Sequence, residues 1–592
     1  MNETIEEYKV IGGRYVVNKD GTAFYREPLK DSSGFIDTPF MNFSPILQKL
    51  KRIDDGFIQT DKITFRALRR GILESPIDIE KKDMIGNQPH AKFGAGCRVY
   101  LGSKNIARCG EMMGMQCEDA DIETVYTHSG WKIIDGERVF LNGTNSITAN
   151  GLTNRYIVEL DSDLEKCYGF FPCDDSDRYS TLLKLLPSAA PGELVIPSLA
   201  YCFMTPLNGM LRDKGAEPSF SFYLVGKTGT FKSSWSKILL GFFGRINYGD
   251  PAPINFENTK NAIGRKLALG ADMVLLLDDR RPTNNAADKL KYESAEKYIS
   301  SAIGDRAARG RLNADCTAKS SYTARCNLIV TAEEAFQNIG ESSIARSVSV
   351  ELKPGMIDFD KMAELQNKTR HLNAIMAEYI QWLIENYDSI SDRLGKKSIE
   401  YRKLFTDAGH PRIATAFSNL MLGYSMLIAF LQHKDLITKN QAAEMKKSAE
   451  QIFLMLCQRQ SDRVKSDKPT LLFINLLRQM LEIRQVDIID LKEQTIDGVA
   501  VNPQTPSERT IGYRDDHYIY LIPDVSYTAV YNFYGRSGNT FPSSKAALWR
   551  QFKDEGKLMT DNERVDYRKT IKGKTGRYIA IRKDVLTEDN NA

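Results

Sequence analysis

Two periods of apolar residues run along this chain, and they divide it into strands and helices. Phe220 to Val225 is an apolar and aromatic run of strand length. After a short polar loop, Trp235, Ile238, Leu239, Phe242 and Phe243 recur at i, i+3, i+4, i+7 and i+8, one face of a helix with Gly244 as its stop. Ala271 to Leu277 and Cys326 to Val330 read as further buried strands, and Ser294 to Gly304 as a helix. Lys361 to Tyr387, Arg412 to His433 and Asn440 to Arg459 are long helical periods with few breakers. In the first third, Arg14 to Tyr25 around Asn18-Lys-Asp-Gly21, and Trp131 to Leu141 around Asp135-Gly136, predict hairpins with Asp-Gly turns. Ile46 to Arg52 and Lys62 to Arg70 read as helical. Near the end, Thr470 to Ile483 predicts a helix and His517 to Ile522 a strand. Ser543-Ser544 caps a helix over Lys545 to Lys557, and Arg564 to Lys583 has strand character around Gly573-Lys574-Thr575-Gly576.

These patterns predict a multidomain α/β protein. Residues 1–165 form an α+β N-terminal region, 185–355 an α/β core, 356–465 a helical lid and 468–592 a second small α+β unit. Ser466-Asp-Lys-Pro469 reads as the linker before that last unit. The length of 592 residues allows three or four domains. Hydrophobic content of 42% and charged content of 26% are ordinary for a globular chain. The nine cysteines form no CxxC pair, which argues against zinc and a disulfide framework and fits a reducing cytoplasm. The N-terminus MNETIEEYKV has no signal-peptide character. Ile413 to Gln432 carries no charge and is the one membrane candidate read from the sequence; its polar residues favour a buried core helix. His90 and His128 are solitary and read as structural.

The loop between the first strand and its helix carries the chemistry. Gly226-Lys227-Thr228-Gly229-Thr230-Phe231-Lys232-Ser233 has the phosphate-loop spacing, a glycine six residues before Lys-Ser. Such a loop points backbone N–H groups at a triphosphate, and the helix N-terminus adds a favourable dipole. Lys232 would reach the β- and γ-phosphates of ATP, Ser233 would hold Mg²⁺, and Ser234 follows in the first turn. Phe231 stands where the usual pattern has glycine. Ala271 to Leu277 ends in Asp278-Asp279, forty-six residues beyond Lys232. Asp278 would hold Mg²⁺ through water, and Asp279, where glutamate is commoner, would polarise the attacking water. The Cys326 strand ends at Thr331, followed by Ala332, Glu333 and Glu334, a polar tip suited to the γ-phosphate or its water. Arg346, fifteen residues on, is a candidate arginine finger, and Arg412 could reach the γ-phosphate from the lid.

Net charge is only +4, so any nucleic-acid surface must be local. From Lys545 to Lys583 twelve lysines and arginines face five acids, an excess of seven. A helix followed by a basic hairpin is the order of a winged helix-turn-helix, which makes Lys545, Arg550, Lys572, Lys574 and Arg577 candidate DNA contacts. A basic protein-binding surface is the alternative.

The order of loop, acid strand, polar tip and arginine resembles AAA+ ATPases of the helicase kind. Tyr126 to Gly136 resembles a Thr-Gly-Trp-like stretch in phage and mobile-element ATPases. The whole chain looks like the MCM-like replicative helicases of staphylococcal cassette chromosomes and pathogenicity islands, the Cch or Rep type. That resemblance implies an AAA+ core, a C-terminal winged helix, and a ring, a homohexamer, with ATP between subunits. It implies translocation on single-stranded DNA in replication initiation of a mobile element, with duplex DNA and other replication proteins of that element as partners and no membrane. It gives Thr331 the role of first sensor and Arg346 that of finger, and it puts Arg309, Arg311 and Lys319 where pore hairpins meet DNA. Two other readings stay open: an ATPase that remodels a nucleoprotein complex without unwinding, and an origin-binding protein switched by nucleotide. Strand displacement separates the first from the helicase, and turnover separates the second.

Overall fold

The structure is a computed structural model. It describes the chain except residues 1–7, 31–32, 86–88, 119, 281–282, 284, 307–310, 313–317, 320–321, 334–340, 467, 493–494, 497–498, 501–504, 537–540, 562–563 and 588–592.

At the centre lies a five-stranded parallel sheet. Its spatial order is Ile254–Asn255, Val274–Arg280, Asn327–Ala332, Ser221–Val225 and Ser347–Glu351. We call the second the acid strand, the third the tip strand and the fourth the loop strand. All neighbours pair in parallel. Such strands are covered on both faces, which is why they read as continuous apolar runs rather than alternations. The tip strand lies between the loop strand and the acid strand, so its end is flanked by the Gly226 to Ser233 loop and by Asp278-Asp279. The loop helix spans Lys232–Leu240 and stops at Gly241, three residues before the predicted stop. It sets Trp235, Ile238 and Leu239 into the main core, and the Trp235 indole N–H donates to Ser198 Oγ at 3.0 Å.

The helical region follows the edge strand. The period over Lys361 to Tyr387 resolves into Phe359–Asn367 and Thr369–Glu385, broken at Lys368, and Tyr387–Lys403 adds a further helix. Pro411–His433 and Lys439–Ser466 complete it. Among the described residues, two segments are long and apolar enough to cross a membrane: Pro411–His433 and also Gly192–Asp213, which the sequence reading passed over. Their apolar windows are 78% and 89% buried within the protein, and both contribute to the main core.

The N-terminal region corrects two expectations. Ile46 to Arg52 and Lys62 to Arg70 are strands, Ser44–Asp54 and Gln59–Arg69, paired antiparallel from Ser44↔Leu68 to Asp54↔Gln59. In the second, Ile63, Phe65 and Ala67 are buried while Lys62, Thr64 and Arg66 are more exposed. That is a period of two, with β-branched and aromatic residues on the inner face. Over so few residues it resembles a helical stripe, and cross-strand pairing decides between them. Both predicted hairpins form, with Tyr15↔Tyr25 and Trp131↔Phe140 in register. Asp135 and Gly136 both have positive φ, as a two-residue hairpin turn requires.

The C-terminal region has its own apolar core, built from the helices Pro469–Glu482, Pro523–Gly535 and Lys545–Asp554 against a six-stranded sheet. Pro523–Gly535 is a helix that the sequence reading missed. Ser544 caps the last helix through Ala547 N. The hairpin Tyr567–Ile571 with Lys574–Arg582 turns at Lys572-Gly573, one residue earlier than predicted, both with positive φ.

Candidate active site

The phosphate loop leaves the carboxyl end of the loop strand. A side chain at Gly226 would put Cβ 2.4 Å from the Leu352 carbonyl oxygen, so the turn out of the sheet admits only glycine. Phe231 adopts φ 63° and ψ 22°, the left-handed conformation for which glycine is the usual choice. A non-glycine residue there costs roughly 1–2 kcal/mol. The Phe231 ring packs on Phe359 at 5.9 Å, a contact that offsets part of this strain. The Thr230 hydroxyl is turned inward, donating to Lys227 O at 2.8 Å. Lys232 Nζ donates to the same carbonyl at 3.0 Å, so the lysine is folded over its own loop. Burial lowers the Lys232 pKa, opposed by Glu333 first and then by Asp278 and Asp279.

Two strands and the loop helix meet at one acid. Ser233 Oγ donates to Asp278 Oδ1 at 2.8 Å, and the Thr331 hydroxyl donates to the same oxygen. The Thr331 oxygen also accepts from Asp279 N at 2.9 Å. Thr331 is 1% exposed, so its hydroxyl is committed to holding the acid pair. A register shift between Leu277 and Arg280 bulges the acid strand. The bulge gives Asp279 φ 74° and an exposed position, and it turns Arg280 inward, where Nε donates to Glu296 Oε1 at 2.9 Å. Burial raises the Glu296 pKa, and Arg280 opposes it. A cleft of about 600 Å³ opens between Gly229, Lys232, Ser234, Asp279 and Glu333. The Thr228 hydroxyl donates to the Glu333 carboxylate across it. From the sequence Glu333 is part of a polar strand tip with no role of its own; its signal is an acid two residues beyond the tip threonine.

These groups suit Mg²⁺. Ser233 and Asp278 offer a hydroxyl and a carboxylate, hard oxygen donors side by side at the head of a helix. Among the described residues no cluster of three or more His, Cys, Asp or Glu could enclose an ion. An ion held by one or two protein oxygens and completed by phosphate and water is the usual magnesium arrangement in phosphate-transfer sites.

Arg346 and Arg412 lie elsewhere. Arg346 O accepts from Ser221 N at 3.0 Å, at the amino end of the loop strand. The parallel register runs from Ser221↔Ser347 to Val225↔Glu351, so a strand's length, about 15 Å, separates Arg346 from the phosphate loop. Arg346 Nη2 donates to Asp305 Oδ1 at 2.5 Å, and Arg412 Nη2 approaches the same oxygen at 3.5 Å. Gly304 makes room, since a Cβ there would lie 2.1 Å from Arg346 Cδ. Arg412, expected over the γ-phosphate of its own chain, is thus not brought to that cleft. The carboxylate at the end of Ala286–Gly304 draws it to the opposite side of the sheet.

Arg309 lies outside the described residues. Arg311 and Lys319 are register partners in a short antiparallel ladder, Arg311–Leu312 with Ala318–Lys319. Lys545 pairs with Asp524, and Arg577 Nη1 pairs with Asp566 Oδ1 at 2.7 Å. Arg550, Lys572 and Lys574 are exposed.

The Thr-Gly-Trp-like stretch clasps the N-terminal strands to the core. Ser129 Oγ donates to Ala271 O at 2.8 Å, Trp131 N to Asp272 Oδ2 at 3.1 Å, and Trp131 Nε1 to Pro206 O at 2.7 Å. Burial lowers the His128 pKa to about 4, which keeps the ring neutral and structural.

No family model matches the chain, and no curated protein does. A solved structure described as "SCCmec type IV Cch - active helicase" superposes on 98% of this chain and 100% of that one, with a TM-score of 0.58 and 13% identity. The chain therefore shares that helicase's fold end to end. A structure described as "The X-ray structure of JCV Helicase" aligns over 47% of this chain and 71% of that one, with a TM-score of 0.21 and 12% identity.

Proposed function

We propose that the chain is an ATP-driven DNA helicase and replication initiator of a mobile genetic element, working in the cytoplasm as a homohexameric AAA+ ring on single-stranded DNA. The observation that carries this reading is the convergence of Lys232, Ser233, Asp278 and Thr331 at the carboxyl ends of adjacent parallel strands. The full-length fold likeness to a helicase adds to it. Lys232 would release Lys227 O and take the β- and γ-phosphates. Gly226, Gly229, Thr230 and Phe231 shape the loop around them, and Ser234 extends the helix N-terminus that favours the anion. Ser233 and Asp278 would hold Mg²⁺, which when bound offsets phosphate charge. Thr331 fixes the acid pair, and some carboxylate must take a proton from the attacking water.

Arg346 supports a ring. A strand's length separates it from its own cleft, so it serves as a finger in the cleft of a neighbouring subunit. Arg412, beside it on Asp305, belongs to the same neighbouring site. The proposed domains are 1–165 as accessory region, 185–355 as ATPase core, 356–465 as lid and 468–592 as a winged-helix unit. Arg309, Arg311 and Lys319 would meet single-stranded DNA in the pore. Lys545, Arg550, Lys572, Lys574 and Arg577 would meet duplex phosphates.

The test is ATP hydrolysis measured beside strand displacement, each with and without single-stranded DNA. Stimulated hydrolysis with displacement is expected. Hydrolysis without displacement would leave only the remodelling reading. Deleting 468–592 should weaken duplex binding about tenfold or more and flatten its salt dependence, about one unit of slope per lost phosphate contact. Unchanged duplex binding would remove the winged-helix assignment.

A further inference from the structure

We propose that Glu333, rather than Asp279, is the carboxylate that activates the attacking water; this rests on the ATPase reading above. Two acids, Asp279 and Glu333, line the cleft, Asp278 is hydrogen-bonded to its Ser233 and Thr331, and the surroundings of the three differ. Asp278 Oδ1 already accepts from Ser233 and Thr331, at the place where the metal would sit. Asp279 sits on the bulge with left-handed backbone, exposed, its amide tied to Thr331. Glu333 lines the cleft one residue beyond the end of the tip strand, its amide donating to Arg280 O at 3.2 Å and its carboxylate accepting from the hydroxyl of Thr228. Thr228 lies in the turn of the loop, four residues before the lysine that would hold the terminal phosphates. An acid fastened to that turn would stand near the γ-phosphate of a nucleotide held by the loop. Its field on Lys232 is the strongest of the three acids, which agrees with this placement.

The step balances as follows. Water donates an electron pair from oxygen to the γ-phosphorus and passes one proton to a Glu333 carboxylate oxygen. The bond from γ-phosphorus to the bridging oxygen breaks, and its electron pair leaves with ADP. Inorganic phosphate departs, and Glu333 returns its proton to solvent. General-base assistance of this kind is worth about 10²–10⁴ in rate.

A mere brace for the loop would also explain the Thr228 contact, and Glu333→Gln separates the two roles. The amide oxygen still accepts from Thr228, but it cannot take up the water's proton. Single-turnover ATP hydrolysis and binding of a fluorescent ATP analogue should be measured on the full chain. Glu333→Gln is expected to bind the analogue within about threefold of the parent and to hydrolyse ATP about 100-fold slower or worse. Asp279→Asn is expected to lose less than about tenfold, and Thr228→Val, which frees Glu333, to fall between them. Glu333→Gln hydrolysing within threefold of the parent would overturn the proposal, as would Asp279→Asn exceeding it in loss. A parent protein that fails to bind the analogue would overturn the ATPase reading, and this proposal with it.

Discussion

The two ends of the central sheet hold charge in opposite ways. At the carboxyl ends, Ser233 and Thr331 donate to one acid, Asp278, from the loop helix and the neighbouring strand. The N-terminus of the loop helix opens on that side, the polarity that the proposed anion and metal binding requires. At the amino ends two arginines share one acid, Asp305. On the proposed reading, stacking subunits around a ring would bring the amino end of one sheet to the carboxyl end of the next.

The largest effects should come from the carboxyl end. Lys232→Ala or Asp278→Ala removes phosphate or metal binding, and ATP hydrolysis should fall to background, about a thousandfold or more. Phosphate release from folded protein checks this; near-normal turnover of Lys232→Ala would break the assignment of that end.

Next is the amino end. Arg346→Ala should cost roughly a thousandfold if the arginine acts as a finger. Mixing it with Lys232→Ala under subunit exchange should restore part of the activity, because some interfaces then pair an intact lysine with an intact arginine. Absence of recovery despite proven exchange would show that the two ends do not cooperate between subunits.

A smaller change sharpens the contrast. Asp305→Asn keeps an oxygen to accept from Arg346 but removes the charge that gathers both arginines. Turnover should stay within about tenfold of the parent. A loss as deep as that of Arg346→Ala would mean that the acid, not the arginine, is the essential group.

The smallest effect tests the loop itself. Phe231→Gly removes left-handed strain and also the ring contact with Phe359, so stability should shift by less than about 1 kcal/mol. Phe231→Ala keeps the strain and loses the ring, and should cost about 0.5–1.5 kcal/mol. Denaturant unfolding distinguishes them; equal losses would show that the backbone there is unstrained.

The readings that held were local. The loop from Gly226 to Ser233 is a strand, a turn and a helix start within a dozen residues, and short-range sterics fix such a unit. The hairpins at Asp20-Gly21 and Asp135-Gly136 formed for the same reason. Failures came where a neighbour decides. Lys62 to Arg70 is a strand because Ser44–Asp54 lies beside it. Outside those failures, Thr331 meets the acid pair because its strand inserts beside the acid strand.

The sequence by itself determined which residue types stand together in the Gly226 to Ser233 loop, in Asp278-Asp279 and in the basic C-terminal segment. Residue type and short spacing are enough there. Only the tertiary structure decided which groups meet. Thr228 and Glu333 are 105 residues apart in the chain, Arg346 and Asp305 are 41, and Arg412 and Asp305 are 107. No periodicity reaches across such distances. Those meetings follow from the order in which five parallel strands pack, and that order is set by burying apolar surface on both faces of the sheet.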